Sequence, residues 1–340
     1  MSAPAVALLL TMDCERVRQS EFYPAGPESW RESERNISAF TESVEEYGFK
    51  ATFFAVPEAA AAHRALFRQL IDRGHEVGLH LHPHTFRYGV NEYLGNLPSE
   101  TQRTLVDDAS GAFEAALGFR PTSFRPGHFS ATIETLKVLA TSGFRRGSFG
   151  IPGRFRFGTG SDWRGWPKDC RYVEGLFEAP VTTCELPTVT RLRFRAGYAA
   201  RLAARGAWLD AVRVARRAVG HTDVADLRLE AGDSGLSAAI VRAEVGRMRR
   251  DGGMPVITAL THSYINFSNE RGVGEHGLPR RGQLRRLLMT LTSWRDCAFE
   301  PQTLIGLQRA FDAQRSPDWD ARQAVSGSVR ANSFSHSLRS

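Results

Sequence analysis

The chain opens on an unbroken apolar run, residues 5–12 (AVALLLTM), and turns polar at Asp13, Cys14 and Glu15. A run without alternation suits a strand buried on both faces, as in a parallel sheet. Residues 16–32 are polar, with Pro and Gly, and read as a loop. From Ser33 to Tyr47 the apolar positions Ile37, Phe40 and Val44 recur at helical spacing, and Gly48 stops the pattern. Residues 50–56 (KATFFAV) predict a second strand, and Pro57 to Arg73 an alanine-rich helix ended by Gly74. The stretch GHEVGLHLHPHTF (Gly74–Phe86) then reads as a third buried strand, closed by Pro83, which has no N–H to donate.

The rhythm continues. Residues 86–98 read as a loop, Ser99 to Leu117 as a helix with Gly118 behind it, and 122–125 (TSFR) as a short strand. A helix over Ala131 to Ser142 and a strand near Phe144–Phe149 follow, then a Gly-, Arg- and Trp-rich loop over 150–170 and a strand over 173–181. Leu236 to Arg250 predicts a helix, Pro255–Thr261 a strand ending at His262, and 266–282 a polar loop. Gln283 to Trp294 is helical, Cys297–Phe299 a last strand and Pro301–Phe311 a last helix. This β-α repetition predicts an α/β parallel sheet or barrel, as one domain over residues 1–314. Beyond about Arg315 little is left to bury, and residues 315–340 are expected to be disordered.

One block breaks the alternation. Between Arg191 and Arg217 lie eight arginines and one acid, Asp210. A basic helical insertion near 189–235 follows, read either as a solvated cover helix or as a contact for anionic lipid. The formal charge of +7 comes from arginine, since Lys50, Lys137 and Lys168 are the only lysines. It fits a phosphate-bearing or lipid-linked ligand or an acidic membrane surface. No nucleic-acid motif accompanies it. No window approaches the roughly 18 apolar residues of a membrane span. The apolar start lacks a basic n-region and reads as a strand, so a cytoplasmic protein is expected. Cys14, Cys170, Cys184 and Cys297 form no C-x-x-C pair, and neither a disulfide framework nor a zinc ribbon is inferred.

The chemistry sits at the strand ends. His80, His82 and His84 crowd five residues of a chain that holds ten histidines. Neutral imidazoles suit a divalent ion, and about three protein ligands with an open position make a working site. On an extended strand His80 and His82 share a face; a bend at Pro83 would pair His80 with His84 instead. His75 reads as a hydrogen-bonding turn residue. Asp13 and Glu15, Arg125 and His128, Glu178 and His262 fall at other predicted strand ends, which suggests one pocket at a shared carboxyl rim. There a carboxylate and two histidines can hold a hydrolytic metal, a second carboxylate can act as base, a histidine can protonate a leaving amine, and an arginine can hold the base.

These residues resemble the polysaccharide deacetylase family, carbohydrate esterase family four, of the nodulation-type N-deacetylases. The resemblance covers about residues 5–262 and rests on LLLTMDCE, KATFF, GHEVGLHLHPH, SFRPG and the strand leading to LTHS. It implies a distorted (β/α) barrel of about seven parallel strands and a metal-dependent hydrolase acting on an N-acyl amide of a sugar. Asp13 resembles the family's catalytic base, Arg125 the arginine paired with it, and His262 the general acid. His80 and His84 resemble the metal histidines, with His82 as the alternative ligand. The family has two adjacent aspartates where this chain has Asp13-Cys14, so Glu15 is the expected metal carboxylate, ahead of Cys14. One divalent ion is implied, zinc first, with Co, Ni, Fe or Mn as alternatives. The expected substrate is an N-acetylated or N-formylated amino sugar or glycan precursor, phosphate- or lipid-linked. His128 and Glu178 are candidate substrate-binding residues, Glu178 being read equally as a buried hydrogen-bond acceptor. Two alternatives stand beside this: a C–N hydrolase of small cyclic amides on the same scaffold, and an inactive glycan-binding relative.

Overall fold

The computed structural model describes residues 5–18, 26–86, 90, 92–185, 234–252, 254–268 and 280–314, with scattered positions between 196 and 229. The basic segment near 189–235 falls largely outside the described residues, as does the tail 315–340.

The first apolar run forms β1 (Ala5–Cys14), followed by α1 (Trp30–Glu45) and β2 (Ala51–Ala55). The first helix starts earlier than the apolar spacing suggests. Ser29 caps it by accepting a hydrogen bond from the Glu32 amide at 3.1 Å, which supplies one of the otherwise unpaired first-turn donors. The alanine-rich helix is two, α2 (Pro57–Ala62) and α3 (Arg64–Asp72), broken at His63, whose buried ring bonds Ser33 Oγ at 3.0 Å. Then come β3 (Glu76–Leu81), α4 (Pro83–Phe86), α5 (Ser99–Leu117), β4 (Ser123–Pro126), α6 (Ile133–Thr141) and β5 (Arg146–Gly147). The strand expected over 173–181 is instead a hairpin, β6 (Arg171–Val173) and β7 (Leu176–Glu178), turning at Glu174-Gly175 with positive φ at both. A short pair, β8 (Thr183–Cys184) and β9 (Ala225–Asp226), precedes the helix Ser234–Asp251 and β10 (Val256–His262). The helix Arg281–Thr292, β11 (Ala298–Pro301) and the helix Leu304–Gln314 complete the described chain.

The sheet runs β10-β1-β2-β3-β4-β5-β7-β6, with β11 on β1, and every pair is parallel except β6–β7. The seven parallel strands from β10 to β7 form the distorted barrel. Its ends are joined loosely. Thr182 donates its amide to Thr258 O at 3.0 Å, and Leu227 and Leu229 bridge Thr182 and Leu260 by backbone hydrogen bonds.

Side chains on a strand alternate between faces, and here the alternation decides the chemistry. Val6, Leu8, Leu10, Met12 and Cys14 join the larger core under the helices, with Ile37, Phe40, Val44 and Leu288. Ala7 and Leu9 face the other way, into a second cluster with Phe54, Phe177, Leu304 and Phe311. Each such side chain, fully buried, contributes about 1.5–3 kcal/mol. The C-terminal helix seals the amino ends of the strands: Glu76 accepts from the Ile305 amide at 2.8 Å and Thr52 Oγ1 from the Leu304 amide at 3.0 Å. Above Ala7 and Leu9 the inward column of β1 continues as Thr11 and Asp13, which opens at the carboxyl rim.

Candidate active site

Strand register gathers the rim residues. Asp13 pairs with His262 across β1 and β10, and His80 with Arg125 across β3 and β4. Ser263 ties the first two strands together: its amide donates to Asp13 O at 2.9 Å, and its Oγ accepts from the Glu15 amide at 3.0 Å. Asn36 on α1 donates to Ser263 O at 3.0 Å, so the helix layer fixes the turn from behind.

Asp13 is buried. Arg125 Nη1 donates to its Oδ1 at 2.6 Å, and His262 Nε2 lies 3.9 Å from its Oδ2. Arg125 is wholly buried, with its guanidinium carbon 4.3 Å from the Phe54 ring centre and 5.5 Å from that of Phe129. Burial pulls the Arg125 pKa down and Asp13 opposes it. His262 stacks on Tyr264 with ring centres 4.8 Å apart.

Beside this pair stands a three-membered group. Glu15 Oε1 lies 3.4 Å from His80 Nε2 and 3.4 Å from His82 Nε2, and the two nitrogens are 3.1 Å apart. Two ligands of one tetrahedral ion, with bonds of about 2.0–2.1 Å, stand about 3.3 Å apart, so all three edges fit one ion. The tautomer fits too. His80 Nδ1 sits 2.8 Å from Arg125 O, and a carbonyl only accepts, so Nδ1 carries the proton and Nε2 keeps its lone pair for a metal. Burial would raise the Glu15 carboxyl, but His82 and then His80 hold it well below the usual range. Burial likewise works to lower His80, and Asp13 and Glu15 raise it. A divalent ion held here would supply positive charge that keeps Glu15 ionised. Close approach of His82 depends on Gly127, where a Cβ would fall 2.5 Å from His82 Nδ1.

The structure therefore groups Glu15 with His80, on the face of β3 that also carries Glu76 and Gly78, and with His82 just past the strand. His84, beyond Pro83 in α4, is grouped instead with His82 and His128, their ligand atoms lying within 4.8 Å of one another. Cys14 points away: its Sγ packs in the helix-side core, and burial raises its pKa well above the usual thiol value. Glu178 closes β7 at its carboxyl end, near enough to Arg125 to interact with its charge. It is fully buried, accepting from the Phe149 and Gly150 amides at 2.9 and 3.1 Å, and burial lifts its pKa to about 8 against those bonds. His75 bonds Glu45 Oε1 at 2.9 Å and accepts from the Ala51 amide at 3.0 Å, at the amino end of β3 and so at the opposite end of the strand from the rim group.

Glu58 is a rim residue that the sequence reading passed over. It sits in the first turn of α2, just after β2; its Oε1 is 3.8 Å from Arg16, and its Oε2 is buried without a hydrogen-bond partner among the described residues. Burial raises its pKa, with Glu15 adding to the rise and Arg16 and His82 opposing it. An acid three residues past β2 was signal enough to find it. The loop over 150–165 also reaches the site: Ser130 Oγ donates to Thr159 O at 2.5 Å and Asn96 Nδ2 to Gly158 O at 2.8 Å, while Phe157 stands 91% exposed beyond them.

Residues 25–147 match the family model described as Polysaccharide deacetylase. The resemblance read from the sequence is borne out over that segment, and the hydrolase class acting on carbon–nitrogen bonds stands on the same match. No curated protein matches the chain in sequence. Among solved structures, a protein of Mycobacterium smegmatis described as a candidate polysaccharide deacetylase superposes with a TM-score of 0.52 at 18% identity, over 90% of this chain and 92% of its own. An allantoinase superposes with the same TM-score of 0.52 at 14% identity, over 92% and 91%. At these identities both likenesses concern the fold alone.

Proposed function

We propose that the protein is a metal-dependent hydrolase that removes an acetyl or formyl group from the nitrogen of an amino sugar or glycan precursor. The observation that carries this is the near-equilateral set of Glu15, His80 and His82 beside the buried Asp13–Arg125 pair. In this reading Glu15, His80 and His82 hold one divalent ion, zinc first. Bound there, the ion supplies Lewis acidity to the acyl oxygen and to a water. Asp13, aimed by Arg125, takes the proton of the attacking water. His262, beside the other oxygen of Asp13, gives a proton to the departing nitrogen as the C–N bond breaks. Water thus ends divided between a carboxylate and an amine. Glu58, with one oxygen buried and unpartnered, is placed to accept from a hydroxyl or amino group of the sugar. Arg16 and Arg156 at the rim favour an anionic, phosphate-bearing substrate.

Among the described residues no helix is long and apolar enough to cross a membrane. A peripheral contact through the basic segment near 189–235 and a cytoplasmic location remain part of this proposal. The test is acetate or formate release by zinc-loaded protein from N-acylated sugars, free and phosphate-linked, run beside small cyclic amides. Release only from cyclic amides would replace the sugar reading, and zinc-free protein that binds glycan without cleaving it would replace catalysis with binding.

A further inference from the structure

His82, His84 and His128 look, by spacing alone, like a second metal position beside the first. The hydrogen bond on the far side of His128 assigns it a different role. Arg156 Nη1 lies 3.1 Å from His128 Nδ1. A guanidinium has only donors, so Nδ1 must be the acceptor and must be unprotonated. A neutral ring in that state carries its proton on Nε2. This is the reverse of His80, whose Nδ1 faces a carbonyl and whose Nε2 is left bare. Metal-bound histidines donate their other N–H outward; a ring that receives a hydrogen bond there could ligate through Nε2 only as an imidazolate.

We infer that His128 is not a metal ligand but a neutral Nε2–H donor to an oxygen of the substrate, its tautomer set by Arg156. The inference rests on the amide-hydrolase reading for its substrate and on geometry for the rest. Two further observations support it. His128 and Phe129 both adopt left-handed backbone, φ 56° and φ 57°, although neither is glycine. Non-glycine residues in this conformation are strained and persist where surroundings dictate them. The surroundings here are a cage: His128 stacks on His84 with ring centres 5.7 Å apart and meets Tyr93 edge-on at 5.2 Å and His82 at 4.7 Å. Arg156 itself is carried by a fastened loop. Thr159 is bonded to Ser130, Gly158 to Asn96, and Trp163 Nε1 donates to Phe129 O at 2.9 Å. The loop thus holds the Arg156 backbone beside His128, and the exposed guanidinium reaches the ring from there.

The experiment uses full-length, zinc-loaded, 15N-labelled protein. Long-range 1H–15N correlation should show His128 neutral, protonated at Nε2 and uncoordinated, and Arg156→Met should mix the two tautomers. His128→Ala should keep one zinc per chain at unchanged affinity while kcat/KM falls about 10-fold or more, as for a lost hydrogen bond. His128→Gln, which restores an N–H near the Nε2 position, should recover most of that loss. A His128 nitrogen coordinated to zinc, zinc loss in His128→Ala, or a His128→Gln no better than His128→Ala would overturn the inference. If the wild-type protein releases no acyl group from any sugar, the functional reading fails, while the tautomer and zinc readouts still decide the assignment of His128.

Discussion

Replacing Cys14 by Asp would rebuild the adjacent pair of aspartates of the resembling family, and the structure predicts that it fails. The outward parity of position 14 is the reason. Asp13 and Glu15 lie on the rim side of β1, and Cys14 lies between them on the helix side, 0% exposed among Leu10, Met12 and the side chains of α1. A carboxyl placed there would sit in an apolar core of the described residues. Unpaired burial of a neutral polar group costs about 1–3 kcal/mol, and an ionised one more. Fitting the larger side chain into a packed core adds about 1 kcal/mol or more. Cys14→Asp should therefore lose about 3 kcal/mol in urea unfolding, a midpoint shift of about 1 M if the slope is near 3 kcal/mol/M. The metal arm uses the double variant. Glu15→Ala should weaken zinc by about 100-fold or more, since even outer-shell changes reach that size. Cys14→Asp/Glu15→Ala should recover none of it in a competition titration with a chromophoric chelator. A stable double variant with wild-type zinc affinity would show that position 14 faces the rim, and the parity reasoning would be wrong.

Asp13→Asn should abolish acyl release while keeping one zinc per chain, because a base acts on water and need not hold the ion; elemental analysis beside a rate measurement checks both halves. His80→Ala and His82→Ala should each lose zinc, whereas His84→Ala should hold it within about threefold; equal loss in all three would place the ion in the outer histidine group. Stability should also have an acid limb from Glu45. Burial raises its carboxyl, but Arg73, His75 and Lys50 draw it down to about 2, so its contribution is complete above about pH 4.5 and fades as pH falls toward 2. Glu45→Gln should remove about 1 kcal/mol at pH 6 and much less at pH 2.5, read as urea midpoints at both; an equal loss at both values would mean the ion pairs add nothing.

Much of the barrel was legible because buried parallel strands read as unbroken apolar runs, and glycines punctuate the helices between them. Where the reading slipped, tertiary contacts overrode local pattern. His63 breaks the alanine-rich helix to reach Ser33, and the expected strand over 173–181 folds back at Glu174-Gly175. The rim residues were legible for a simple reason: most stand at or just past the carboxyl end of a strand. The choice between His82 and His84 was not, because it turns on the chain entering α4 at Pro83. Glu178 shows the limit of the strand-end rule. It ends a strand, yet its oxygens are taken by the Phe149 and Gly150 amides, a partnership of the loop after β5 that no spacing announces.

The most direct measurement is X-ray absorption at the zinc edge of metal-loaded wild-type protein, paired with zinc titration of Glu15→Ala and His80→Ala. One ion per chain with two imidazoles and a carboxylate, lost in both variants, is the expected result. No bound ion in the wild type, or zinc held unchanged when Glu15 and His80 are gone, would contradict the convergence of β1 and β3 on a common metal.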